Sequence, residues 1–110
     1  MPKRRLPERY KISGYRFCEL YYHALQYGEW ERELKKNPDK RRESDLQRRI
    51  ARIDATCFEA NEELAHYIKL GVTNKDVTYT VLKMIYDIPC DRNTYYKYRR
   101  KFYWLLDKKK

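Results

Sequence analysis

The chain has 110 residues, a formal net charge of +10, and 12 Tyr, 3 Phe and 2 Trp. That length suits one domain with a core of its own, and so much bulky apolar surface excludes disorder along the whole chain. No apolar run approaches the roughly 18–20 residues that cross a bilayer, and the start lacks the apolar stretch of a signal peptide, so a cytoplasmic protein without a membrane partner is expected.

Residues 1–12 (MPKRRLPERYKI) contain two prolines and little apolar periodicity, and read as a flexible basic arm. Such an arm can enter a minor groove beside a main contact, with Arg4 and Arg5 as the inserted side chains. A disordered solubilising tail is the alternative. Residues 13–110 then form a single helical domain.

Ser13 is placed to cap a helix, giving a first element over 13–36. Phe17, Leu20, Tyr21, Ala24, Leu25 and Tyr27/Trp30 follow three- and four-residue steps. Asn37-Pro38-Asp39 is a turn signal that closes it. A long central helix is expected over 43–70, where Leu46, Ile50, Ile53, Cys57, Ala60, Leu64 and Tyr67 alternate steps of four and three, with Gly71 as its stop. Its other face mixes Arg48, Arg49 and Arg52 with Glu59, Glu62 and Glu63, and reads as solvated. A helix of 28 residues extends about 42 Å, whereas the first element extends about 35 Å. The uncovered seam makes a homodimer a possible arrangement.

Thr73-Asn74-Lys75-Asp76 has the form of a capping box with Asp in place of Glu or Gln. A short helix follows, with Val77, Val81, Leu82, Met84 and Ile85 apolar. Pro89 interrupts the pattern, and Asp91 is a good N-cap for a last helix to about residue 107. Residues 74–107 therefore make a helix-turn-helix pattern. No β-hairpin dipeptide or internal repeat occurs. The fold class is all-α, a small helical domain with a long central helix and a C-terminal helix-turn-helix.

The charge excess is located. Residues 1–12 carry +4 and residues 91–110 carry +6, while residues 13–90 balance to zero. Excess concentrated at the ends points to an anionic partner, double-stranded DNA first. On the last helix Tyr95, Tyr98, Phe102, Leu105 and Leu106 share a stripe expected to pack against Val77, Val81, Leu82 and Ile85. The other side presents Arg92, Asn93, Thr94, Tyr96, Lys97, Arg99, Arg100 and Tyr103. Arg92, Asn93, Tyr96 and Lys97 lie where base edges would be read. Arg99, Arg100 and Lys101 lie where phosphates would be met. Thr94 can serve either role or simply help start the helix. Tyr96 and Tyr103 face outward on this reading, either against bases or as plain surface tyrosines. Trp104 belongs to the core or to a dimer contact.

The order of elements resembles the RinA/ArpU type of small late-gene regulators in phages of Gram-positive bacteria. The stretches that carry the likeness are "GYRFCELYYHALQY", "DLQRRIARIDATCFEANEELAHYI" and "IPCDRNTYYKYRRKFYWLL". The last is similar to that family's "isrsTfYryRrk" wording through Arg92, Thr94, Tyr95, Tyr96, Arg99, Arg100 and Lys101. The preceding "GVTNKDVTYTVLKMIYDIPC" lacks the family's usual "W-x-x-I-A-x-x-L". The resemblance implies a sigma-region-4-like helix-turn-helix and transcriptional regulation.

Catalytic patterns are missing. His23 and His66 stand far apart, and there is no HExxH, GxSxG or Gly-rich phosphate loop. Cys18, Cys57 and Cys90 show no CxxC pair and read as free thiols of a reducing compartment, without metal or cofactor. Cys90 is a turn residue by default, although a helix N-terminus favours thiolate. An enzyme is not expected. The rival is a small phage-encoded inhibitor that binds a host nucleic-acid enzyme or defence complex, with host RNA polymerase among possible protein partners. A DNA-packaging adaptor ranks lower, because the helix-turn-helix pattern here is C-terminal. Salt dependence separates the two main classes.

Overall fold

The computed structural model describes residues 10–109, and these form six α-helices with no strand among them. They are α1 (Gly14–Leu25), α2 (Tyr27–Leu34), α3 (Lys40–Ala60), α4 (Ala65–Thr73), α5 (Tyr79–Tyr86) and α6 (Arg92–Lys109).

Ser13 caps α1 as expected, its side chain accepting the Arg16 N–H. The first element is two helices, however. At Gln26 the backbone N–H bonds to His23 O as well as Ala24 O, the tightened ladder of a 3₁₀-like turn, and Gly28 follows with its low helix propensity. This bend sends α1 across α4 and α6, while α2 packs along α3. Asn37 ends α2 at φ 52°, and Asp39 caps α3 by accepting the Arg42 N–H at 2.9 Å. The central helix thus starts three residues earlier than expected.

The larger correction is at Asn61. The expected helix 43–70 is two helices that double back, because Asn61 is extended (φ −166°, ψ 114°) and its Oδ1 accepts the Leu64 N–H at 3.0 Å. Asp54 and Lys69 would be about 22 Å apart on a straight helix. Across the corner they form an ion pair at 3.1 Å, and Tyr27 donates its hydroxyl to the same carboxylate at 2.8 Å. Burial opposes the Lys69 charge, yet bonding to Tyr27 and Asp54 wins and its pKa rises to about 12. The apolar positions keep their role: Leu46, Ile53, Cys57, Ala60 and Leu64 are buried, with Ile50 and Tyr67 packed against them. The length mismatch that suggested a homodimer does not arise.

Gly71 is no stop either. It lies inside α4, where a Cβ would stand 1.9 Å from the Tyr95 hydroxyl oxygen. The capping-box reading at 73–76 also gives way. Thr73 turns its hydroxyl back to Lys69 O at 2.6 Å, and α5 starts later, capped by Thr78. At the other end, Tyr10 is buried and Ile12 packs on the core, so the last part of the expected arm is folded in.

Candidate nucleic-acid interface

Asp91 caps α6, accepting the Thr94 N–H at 2.9 Å, and Lys108 and Lys109 occupy the last turn where the helix dipole favours cations. The helix is anchored along one side by Tyr95, Phe102, Tyr103 and Leu106, all buried. Its main neighbour is α3, with α1 and α4 beside it. This corrects the expected packing on α5. Leu82 is buried and Val77 and Val81 are half-buried, but Ile85 is 69% exposed and α5 rests chiefly on α4.

What ties α5 to α6 is Tyr79, a residue the apolar pattern did not single out. Its hydroxyl donates to Cys90 O at 2.6 Å, its ring meets Tyr95 at 5.9 Å, and the Arg92 guanidinium lies over it at 5.3 Å. Thr78, capping the helix just before it, was the available sequence signal. Beyond α5, Asp87 adopts the left-handed region (φ 52°, ψ 49°), and the Ile88 N–H reaches back to Leu82 O.

Arg92, Asn93 and Lys97 are exposed at the start of α6. Thr94, Tyr96, Arg99, Arg100 and Lys101 are half-buried along the same helix. Tyr103 contradicts its outward assignment: it is 1% exposed, and burial raises its pKa. The reason is register, since α6 packs on α3 and α1 and turns Tyr103 edge-on to Phe17 at 5.0 Å. Arg4 and Arg5 lie outside the described residues. Trp104 is half-buried, met by the edge of Tyr10 at 5.4 Å.

The cations of α6 rest on rings. Arg99 lies over Tyr96 at 5.8 Å and Tyr103 at 5.3 Å, Lys97 over Tyr98 at 5.2 Å, and Lys108 over Trp104 at 4.3 Å. Among the described residues no carboxylate lies within ion-pair distance of Arg92, Lys97, Arg99, Arg100 or Lys101. Asp107 is engaged by Arg16, and Glu59 by Lys109 at 2.7 Å. A cation on a ring is oriented without being neutralised, so the helix keeps its positive field. Arg99 and Arg100 also wall a cleft of about 210 Å³ with Ile12, Phe17, Tyr96 and Tyr103.

Burial raises the Cys57 pKa to about 12, and burial with the Asp91 charge raises that of Cys90, so the dipole argument for a Cys90 thiolate fails. No three His, Cys, Asp or Glu side chains gather as a metal site among the described residues, and no described helix is long and apolar enough to cross a membrane. Compared with known proteins, the chain matches no family model, no curated protein and no solved structure.

Proposed function

We propose that this chain is a sequence-specific reader of double-stranded DNA, a phage or mobile-element transcriptional regulator of the RinA/ArpU type, with α5 and α6 as its helix-turn-helix. The observation that carries the reading is the two-sided character of α6. Tyr95, Phe102, Tyr103 and Leu106 fix one side in the core, while Arg92, Asn93 and Lys97 are exposed at its start and meet no acidic side chain at ion-pair distance among the described residues.

On this reading Arg92 and Asn93 address base edges, where a guanidinium suits guanine and an amide suits adenine. Tyr96 and Lys97 extend that contact, and Arg100 and Lys101 meet phosphates. Arg99, held between two rings, acts with less reach. No catalytic step is involved.

Selection of bound sequences from random duplex DNA tests the proposal, with enrichment of one motif as the expected result. On that motif Asn93→Ala or Arg92→Ala should cost about 1–3 kcal/mol and erase preference at one position, whereas Arg100→Ala should weaken all duplexes alike. With about five phosphates neutralised, log affinity should fall against log salt with a slope near −4 to −5. No enrichment, or unchanged binding by both kinds of variant, overturns it.

A second reading, a protein-binding module aimed at a host nucleic-acid enzyme such as RNA polymerase, is favoured by one observation. Met84, Ile85 and Tyr86 stand 80%, 69% and 41% exposed in succession on α5. Replacing Met84 and Ile85 with Ala should leave duplex affinity intact and abolish any effect on purified polymerase. Equal effects on both assays would remove this reading.

A further inference from the structure

A second cationic surface lies on the N-terminal half of α3, in the part of the sequence where charges sum to zero. Two open clefts of about 380 and 480 Å³ lie along it on either side of a shared wall, Asp45 and Arg48, and together make one grooved face. Every cation lining it on α3 is an arginine: Arg41, Arg42, Arg48, Arg49 and Arg52.

The acidic partners are too few for these five. The single Asp45 carboxylate is shared by Arg42 at 3.4 Å, Arg48 at 3.6 Å and Arg49 at 3.0 Å. Asp39 also lines the groove, but one of its oxygens caps α3. Arg41 and Arg52 meet no carboxylate at ion-pair distance among the described residues. Two of the guanidiniums are fixed in place. Arg42 is bound by Glu33 through two bonds of 2.6 and 2.9 Å, and Arg49 lies over Trp30 at 5.7 Å. Arg41, Arg48 and Arg52, seven and four residues apart, share one helix face, with Arg41 and Arg48 exposed and Arg52 half-buried.

We propose that this groove binds the phosphodiester backbone of nucleic acid, as a sequence-independent contact separate from α6. The proposal rests on the nucleic-acid reading given above. Guanidinium forks match phosphate oxygens in pairs, and backbone-binding surfaces are polar, wet and arginine-rich. A protein partner would be expected to find an apolar anchor. The groove offers none: no apolar side chain lines either cleft, and Trp30, over which Arg49 lies, is only 2% exposed.

The test compares Arg41→Ala/Arg48→Ala/Arg52→Ala with Asn93→Ala by fluorescence anisotropy, on a selected duplex and an unrelated one, across a salt series. The triple variant should weaken both duplexes by the same factor, keep their ratio, and make the salt slope shallower by about 2–3. Unchanged helicity and melting would confirm that it is folded, and the single Arg48→Glu change on a 64% exposed side chain should reproduce the direction. If the triple variant binds both duplexes like the unmodified chain while Asn93→Ala loses preference, the groove proposal is overturned and α6 stands. If Asn93→Ala changes nothing while the triple variant loses binding, the α6 reading fails and the groove stands. Polyglutamate binding that is lost in the triple variant, with nucleic-acid binding unchanged, assigns the groove to an acidic protein and overturns the proposal.

Discussion

Two buried tyrosines show how single groups set the packing of this fold. Gly71 leaves room for Tyr95, whose oxygen and Cζ would stand 1.9 and 3.2 Å from an added Cβ. Gly71→Ala should therefore destabilise by about 1–2 kcal/mol, overpacking outweighing the better helix propensity of Ala. In a Tyr95→Phe background the oxygen is gone and that cost should fall, with only the Cζ contact at 3.2 Å left. A double-mutant cycle in denaturant melts checks the coupling. Tyr103 is the converse case. Its hydroxyl is buried with no hydrogen-bond partner among the described residues, and an unsatisfied buried donor costs about 1–3 kcal/mol. Tyr103→Phe should hold or raise the midpoint in the same melts; a loss above about 1 kcal/mol would show that the hydroxyl is satisfied. Nothing in the apolar pattern marks Tyr103 as inward, because a single stripe answers to a single neighbour, whereas α6 packs on α3, α1 and α4 together.

Among the elements, α5 is the one held least by its apolar side chains and most by one polar clasp. Tyr79→Phe removes the bond to Cys90 O and should cost about 1 kcal/mol, with hydrogen exchange quickening first in α5 and the start of α6. Uniform quickening over all helices would instead mean a global loss. The helices themselves were largely legible. Ser13, Asp39 and Asp91 fill cap positions next to apolar periodicity, and two of those three starts were read directly. The corner at Asn61 was hidden because the four-and-three spacing continues through it. The stripe is the same whether the helix runs on or folds back upon itself. The cue was local: an Asn followed by Glu62 and Glu63 is a helix-start signature. The exposed start of α6 followed from its periodicity and cap. The groove on α3 did not, because its arginines are balanced in sequence partly by acids such as Glu43, Asp54 and Glu59 that do not line it.

At the scale of the whole molecule, the helices fill an elongated body of 56 × 31 × 22 Å, and its core holds groups that ionise only with difficulty. Burial raises Tyr95 from 10.0 and Cys57 from 9.0, each to about 12, and pushes Tyr103 up as well. The unfolded chain loses these protons first, so the stability tied to them is complete below about pH 9 and falls as pH rises through 12. With about 1.4 kcal/mol per pKa unit for each group, the fold should open cooperatively in that window. Phenolate absorbance should rise in two stages, exposed tyrosines first and the buried ones together with loss of helicity. Smooth single-stage titration with helicity retained would contradict the burial.

The corner at Asn61 has one more consequence, for assembly. Because the chain turns there, α4 lies back on α3 within one molecule. If residues 61–63 became alanines, the two helices would be free to fuse into one rod, and each α4 would then find its place only on another molecule's α3. Exchange of that kind yields intertwined pairs, and light scattering should report a doubled mass. A mass that stays single would mean that the return of α4 is enforced by its packing rather than by the corner.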